Sequence, residues 1–209
     1  MSDAKEPHTA RRKPAEARRQ DIIHAAMEIL QTEGVDKLTT RSLSRAVGIA
    51  QSTLFLHFGN KTQVLLALID YIQESLQSGL REQGLAQYAP AERLSRVIRF
   101  HLQFIQKRPG IPRLLFSEEI QSGSPEVQER MQSLVGSFLE YLTRLVQEGQ
   151  KSGELRDDLD ASECACLLIA SVQGLAFRWV LSGFRFVLEE QADVVIATFL
   201  DGWRARPGY

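Results

Sequence analysis

The sequence predicts an all-α protein of about nine helices, and three observations carry this prediction. Apolar residues recur at intervals of three and four along most segments of the chain. Glycine, proline or a capping residue marks the ends of these segments. No segment sustains the alternation of apolar and polar residues that half-buried strands show. The 209 residues are 44% hydrophobic and 24% charged, as expected of a globular protein with a sizeable core.

The beginning of the chain differs in composition from the remainder of the sequence. Residues 1–17 are polar, contain two prolines and show no helical period, so we expect a flexible arm there. Its basic cluster, Arg11, Arg12 and Lys13, could add salt-sensitive phosphate contacts. Residues 1–61 carry a net charge of +3, whereas the rest of the chain carries −4. A basic head on an acidic body is compatible with a head that meets a polyanion.

Four helices are expected after the arm. The first is amphipathic and ends at Gly34. Thr39 is a candidate N-cap for a short second helix, and Gly48 ends it because glycine accepts the left-handed turn that follows many helices. A third short helix is expected at 51–57. Asn60 could cap a fourth helix, which would connect the N-terminal part of the chain to the rest.

Five further helices are expected in the C-terminal part, and each break between them is marked. They should begin at or just after Pro90, Pro112, Ser124, Asp160 and Leu188. Ser124 is followed by a proline, a combination typical of an N-cap and first turn. Asp160 is followed after three residues by a glutamate, which is the spacing of a capping box with Asp in place of Ser or Thr.

The second and third helices fit a helix-turn-helix, because both are short and a tight turn with glycine joins them. Leu43 and Leu54 lie among the apolar residues that would fix the angle between the two helices. The side chains left on the outward side are Gln51, Ser52, Thr53, Phe55 and His57. No acidic residue occurs from Thr39 to Lys61. Short polar side chains without acids favour a surface that faces DNA.

Three stretches of this region, Leu38–Leu43, Val47–Ile49 and Thr53–Lys61, resemble the signature of the TetR family of bacterial repressors. The resemblance is close over about residues 18–66 and looser over the rest. It implies a DNA-binding domain at 18–62 with the third helix in the major groove. It also implies that the N-terminus of the fourth helix touches phosphate, and that residues 63–209 form a ligand-binding and dimerisation domain.

The resemblance also implies roles for single residues. The implied DNA contacts are Thr39, Arg41, Gln51, Ser52, Thr53, Phe55, His57 and Lys61. Thr39, Arg41 and Lys61 would contact the DNA backbone, and residues 51–53 would face bases or nearby phosphates. Phe55 stands where the family usually has a tyrosine, so the hydrogen bond from its hydroxyl to a phosphate is missing. Ala50 departs from the frequent Ser or Thr and loses a possible helix cap.

The family keeps its inducer pocket between helices five and eight, and this chain has aromatic and polar residues there. The candidates are Phe100, His101, Phe104, Phe116, Phe138, Tyr141, Gln173 and Phe177. Side chains at helical spacing could also be plain core. His101 and Gln173 are the most informative, because a buried polar group needs a partner and either a ligand or a backbone carbonyl could supply it. The aromatic majority predicts a small, largely apolar ligand.

The last two long helices carry apolar faces that one chain cannot easily cover. The resemblance implies that they pair with a second copy as a four-helix bundle. The candidate interface residues are Leu168, Leu175, Trp179, Ile196, Phe199 and Trp203. Such a homodimer would place two reading heads on a pseudo-palindromic operator in double-stranded DNA.

These features predict a transcriptional regulator, a repressor that a small effector releases from its operator, with no cofactor. An enzyme is disfavoured, because no nucleophile–base pair, acid cluster or metal-site spacing occurs. Glu118 and Glu119 could attract a cation or simply be solvated. Two alternatives keep the fold: a DNA-bound scaffold for another protein, which would have a closed core, and an activator.

The cysteine content and the hydropathy of the sequence indicate the cellular compartment to expect. Cys164 and Cys166 are two positions apart on an expected helix, where a disulfide is geometrically poor, so we expect two buried small apolar residues. The N-terminus has no apolar run typical of a signal peptide. The longest apolar stretch, 164–170, is too short to span a bilayer. We therefore expect a cytoplasmic protein with no membrane partner.

Overall fold

The computed structural model describes residues 14–205, and this part of the chain is helical without any strand. Its ten α-helices are α1 (Ala15–Thr32), α2 (Thr40–Val47), α3 (Gln51–His57), α4 (Lys61–Glu82), α5 (Pro90–Gln106), α6 (Gly110–Leu115), α7 (Glu118–Gln121), α8 (Pro125–Lys151), α9 (Ala161–Leu181) and α10 (Ala192–Trp203). The all-α prediction is confirmed. The single helix expected from residue 112 is two helices, α6 and α7. The basic cluster of the expected arm lies outside the described residues, and residues 15–17 belong to α1.

Several of the helix ends follow from local chemistry that the sequence displays. The Thr39 hydroxyl accepts a hydrogen bond from the Ser42 amide, while the Ser42 hydroxyl accepts one from the Thr39 amide, which completes a capping box. Gly48 ends α2 with φ of 68°, a left-handed conformation in which a side chain would be strained. The carboxylate of Asp160 accepts hydrogen bonds from the backbone amides of Ser162 and Glu163 in the first turn of α9. Ser124 departs from expectation, because its hydroxyl is buried and finds no hydrogen-bond partner among residues 14–205.

The N-terminal helices α1–α3 form the head, and the helices after α4 form the body. Besides the expected connection through α4, a second connection joins α6 of the body to α1 of the head. Gly110 lies so close to α1 that a Cβ there would come within 3.0 Å of the Leu30 Cβ. The Arg113 guanidinium donates to the carbonyl oxygens of Leu30 and Gln31 at 3.2 and 2.7 Å. These carbonyls belong to the last turn of α1, where they lack partners inside the helix. The C-terminal end of α1 is therefore held by α6.

The helix α9 is apolar on more than one side. It is the one helix among residues 14–205 that is long and apolar enough to cross a membrane by length and composition. Residues 164–170 are too short to span a bilayer, as expected, but the whole helix around them is long enough. Cys164 is buried, whereas Cys166 is exposed, so the expectation that both are buried is wrong for Cys166. Both cysteines are free thiols.

Candidate functional site

The helix-turn-helix is held by a small core and by one arginine of α1. Leu43, Leu54 and Phe58 are almost fully buried, so they fix α2 against α3. The guanidinium carbon of Arg19 lies 4.3 Å from the centre of the Phe58 ring. The same guanidinium donates to the His57 carbonyl at 2.7 Å and so caps the end of α3. The orientation of α3 is thus fixed at its C-terminal end by α1.

The residues expected to touch DNA lie at the N-terminus of α2, along α3 and at the N-terminus of α4. Thr39, Arg41, Gln51, Ser52 and Phe55 are exposed, whereas Thr53, His57 and Lys61 are half-buried. The Thr39 side chain is engaged in the capping box. Contacts between these side chains and DNA stay a prediction.

An exposed leucine of α3 was missed by the sequence analysis. Leu56 is 79% exposed, more than any other large hydrophobic residue of the described chain. It lies four residues after Ser52 and therefore on the same face of α3, while buried Leu54 lies on the opposite face. A helical projection from Leu54 and Phe58 could have found it. An apolar side chain on this face is suited to contact the methyl group of a thymine.

Lys61 is engaged with the body of the protein. Its ammonium group lies 2.7 Å from a carboxylate oxygen of Glu119 on α7. Partial burial would raise the pKa of Glu119, but the hydrogen bond from Lys61, a backbone hydrogen bond and the positive charge of Lys61 together outweigh burial and hold that pKa below its ordinary value. Glu119 is thus a carboxylate at neutral pH, and the pair links the start of α4 to α7.

The body encloses a small apolar cavity between α4, α5, α6, α8 and α9. Its volume is about 60 Å³, and four of the eight candidate ligand residues line it: His101, Phe104, Phe138 and Gln173. The other four do not. Phe116 and Phe177 contact each other edge to face, with ring centres 5.1 Å apart. Phe100 lies in a surface groove beside Gly79, and Tyr141 lines another groove on the opposite side of α4.

The two polar side chains of the cavity lack partners in the described part of the chain. His101 and Gln173 make no side-chain hydrogen bond there, and both are partly exposed at the edge of an otherwise apolar space. The His101 ring contacts the Phe138 ring edge to face, with centres 4.5 Å apart. Burial lowers the pKa of His101 from 6.5 to about 4, so the imidazole is neutral at physiological pH. A neutral imidazole can both donate and accept a hydrogen bond.

The buried imidazole should make stability depend on pH. In the unfolded chain His101 takes up a proton near pH 6.5, whereas in the folded chain it does so only near pH 4. The free energy of unfolding should therefore fall as the pH is lowered from 6.5 to 4, by up to about 3 kcal/mol from this residue. Urea unfolding of the wild type and His101→Phe at several pH values measures this. Equal pH slopes for the two proteins would contradict it, because the carboxylates titrate alike in both.

A larger groove adjoins the cavity from outside. It lies between α4, the 3-10 turn Leu85–Gln87 and α8, and its volume is about 690 Å³. The residues shared by cavity and groove are Leu76, Leu134 and Phe138. Arg81 and Arg144 lie among the residues that line the groove. A volume of several hundred Å³ is the usual size of a small-molecule site, whereas the cavity alone has room for a few atoms.

The residues expected at a dimer interface divide into two groups. Leu168, Trp179 and Trp203 are buried in the chain's own core, and the Trp179 indole N–H donates to the Phe186 carbonyl at 2.8 Å. Leu175, Ile196 and Phe199 are half-buried against that core. The exposed apolar residues of α9 and α10 are instead Leu167, Phe177, Leu181 and Val194. The interface stays a prediction, and its exposed part differs from the residues first expected.

Within residues 14–205, no group of three or more His, Cys, Asp or Glu side chains is placed to hold a metal ion. The carboxylate of Glu119 pairs with the ammonium group of Lys61.

Two family models match this chain. Residues 22–68 match the model described as bacterial regulatory proteins of the tetR family. Residues 65–202 match the model described as the C-terminal region of a YsiA-like protein. Together the two models span the described helices from the middle of α1 to the end of α10.

Relatives in sequence and in structure carry different names. The nucleoid occlusion factor SlmA of Vibrio atlanticus is 27% identical over 177 residues, which are 84% of this chain and 90% of that protein. SlmA of Yersinia pestis is 26% identical over 181 residues, which are 84% of this chain and 89% of that protein. In structure, the fatty acid degradation regulator FadR of Bacillus halodurans has a TM-score of 0.80 at 20% identity, covering 94% of this chain and 100% of that chain. FadR of Bacillus subtilis was solved with stearoyl-CoA. It has a TM-score of 0.77 at 20% identity, covering 88% of this chain and 98% of that chain.

Proposed function

Since the chain belongs to the TetR family of bacterial regulatory proteins, we propose that it is a transcriptional repressor that a largely apolar small molecule releases from its operator. The protein binds operator DNA as a homodimer and responds to a small-molecule effector, as regulators of this family do. One observation carries the proposal about the effector. An apolar cavity in the body holds two unpaired polar side chains, His101 and Gln173, next to the helix that holds α1.

The effector that best fits this body has a long apolar chain and an anionic head. The cavity is lined almost entirely by apolar side chains, and it meets the groove at Phe138. Arg81 in the groove could bind an anionic head group, together with Arg144, whose 3.9 Å contact with Glu140 of the same groove is loose and exposed, while the apolar chain enters the cavity. FadR of Bacillus subtilis was solved with such a molecule, stearoyl-CoA. We therefore propose a long-chain acyl thioester or a related molecule as effector.

The α6 helix supplies a route from the cavity to the DNA-reading head. Ile111, Pro112 and Leu115 line the cavity. Gly110 and Arg113 of the same short helix contact the end of α1. A ligand that enlarges a cavity of about 60 Å³ has to displace part of its lining, and a shift of α6 would disturb its contacts with the end of α1. The ligand releases DNA only if it binds this displaced arrangement more tightly than the DNA-binding one.

A DNA-bound scaffold that senses no ligand is the second candidate function. The observation that favours it is the sequence likeness to SlmA, a nucleoid occlusion factor. A scaffold has no use for an apolar cavity in its body, because unfilled space between side chains lowers stability. The cavity therefore favours the sensor.

Selection of bound duplexes from a random pool, followed by competition with acyl-CoA, tests the proposed function. We expect a partly palindromic sequence whose affinity falls steeply with salt, because Arg41 and Lys61 displace counterions. Stearoyl-CoA should release the selected duplex, whereas coenzyme A without the acyl chain should not. Specific binding that no acyl-CoA weakens would favour the scaffold. The absence of any specific binding would contradict both functions.

A further inference from the structure

We infer that Glu119 is a positioning residue for DNA binding, which holds Lys61 away from the phosphate backbone until the ion pair opens. The inference rests on the proposed role of Lys61 as a phosphate contact. It adds a residue of the effector-binding body to the determinants of DNA affinity. Neither family model nor the resemblance assigns a role to this glutamate.

The geometry sets the contact of Lys61 with Glu119 in competition with a contact to DNA. The Lys61–Glu119 distance is 2.7 Å, and the two side chains are 38% and 25% exposed. Lys61 is the first residue of α4, directly after the N-cap Asn60. A phosphate that reached the ammonium group in its present position would also approach the Glu119 carboxylate, and two negative charges at that distance repel each other. The ammonium group must therefore leave Glu119, or share it at a cost, before it can contact DNA.

The charge pattern of the head makes this contact unusual. From Thr39 to Lys61 the sequence has no acidic residue, so the reading surface lacks negative charge of its own. In the fold, the carboxylate of Glu119, which is 58 positions away in the sequence, lies beside Lys61 at the end of that surface. Because Glu119 is ionised at neutral pH, the reading surface keeps this negative charge under physiological conditions.

The position of α7 ties the pair to the effector site. This helix follows α6 after two residues, and buried Ile120 anchors it to the core. Leu115 of α6 lines the cavity. A movement of α6 therefore reaches Glu119 through a very short connection. An effector that favours the closed Lys61–Glu119 pair lowers DNA affinity without touching the reading head.

A set of charge-neutralising variants tests the inference on the duplex selected from the random pool. Glu119→Gln should tighten binding by about tenfold, because it removes the negative charge that holds Lys61 and repels phosphate, and leaves only a neutral amide oxygen as a weaker acceptor. Glu118→Gln is the matched control, since it removes the same charge from the exposed neighbouring residue. The control should change affinity by no more than about twofold. Equal gains for the two variants would overturn the inference, because they would show a general charge effect.

A double-mutant cycle then asks whether Glu119 acts through Lys61. Lys61→Ala alone should weaken binding to all duplexes about equally. In the Lys61→Ala background, Glu119→Gln should give no more gain than Glu118→Gln does. A tenfold gain that persists without Lys61 would overturn the inference, as would a Lys61→Ala variant of unchanged affinity. A wild type that binds no duplex would contradict the proposed function as well, and this outcome is distinct from the other two.

Discussion

A single negative charge on the exposed apolar face of α9 should split the homodimer and weaken operator binding by about a hundredfold or more. Leu181→Asp is the variant of choice. Leu181 is 71% exposed and Leu167 is 60% exposed, and both lie seven residues from Gly174, so the three share one face of α9. Space beside Gly174 is open, which lets a second helix approach closely. Val194 of α10 is 66% exposed and is the candidate neighbour in the bundle.

The effect is large because two penalties combine. In a two-fold symmetric interface each substitution occurs twice, and each buries an unpaired carboxylate where an apolar side chain packed before. A monomer that results has one reading head instead of two. Linked heads bind a palindromic site about 100 to 10,000 times more tightly than single ones, because the second contact is intramolecular.

Sedimentation velocity and operator titration measure the two consequences. Leu56→Asp is the matched control, because Leu56 is an even more exposed leucine but lies on α3. It should leave the dimer intact and weaken DNA binding only. Since Leu181 lies outside the chain's own core, the variant should keep its helical circular dichroism spectrum. A Leu181→Asp protein that sediments as a dimer would show that the subunits pair through another surface.

The dimer face also shows where sequence patterns stop being informative. On α9 the neighbours Leu167 and Leu168 are equally apolar, yet the first is 60% exposed and the second 1% exposed. Periodicity cannot tell which of two apolar faces the chain covers itself. Of the residues expected at the interface, Leu168, Trp179 and Trp203 are buried in the chain's own core, while the interface itself stays a prediction. Hydropathy predicts that a side chain is buried, but not by which chain.

Local chemistry, in contrast, could be predicted well. The caps Thr39, Asn60 and Asp160, and the left-handed Gly48, need only their immediate neighbours, and the structure confirms all four. The contacts that link head to body join distant parts of the chain, such as Arg113 with the end of α1. Nothing in a local pattern indicates such a partner.

The effector site lies between these two cases. Aromatic residues at helical spacing predicted a pocket in the right layer of the body, but only part of the set lines the cavity. Phe116 and Phe177 pair with each other because α6 packs against α9. Of the residues singled out as informative for their polarity, both His101 and Gln173 line the cavity. Polarity within an apolar region was the better predictor, because a polar group there needs a partner.

Loss of the polar groups of the cavity should weaken the response to effector while sparing operator binding. Gln173→Leu and His101→Phe keep most of the side-chain volume, so the cavity should stay filled to the same extent. Each removes one hydrogen bond to a bound ligand, which costs about 1–3 kcal/mol where water is excluded. The concentration of stearoyl-CoA that releases half of the operator should therefore rise by about tenfold or more. Operator affinity without effector should stay within about twofold.

Gln147→Leu supplies the matched control, because it makes the same change at an exposed position of α8. Its release curve should coincide with that of the wild type. Fluorescence anisotropy of a labelled operator, titrated with stearoyl-CoA, gives both the affinity and the release concentration for every variant. If Gln173→Leu and His101→Phe release the operator at the wild-type concentration, the effector does not contact the cavity. The link from α6 to α1 would then transmit a signal from another site, and the groove between α4 and α8 would be the next to test.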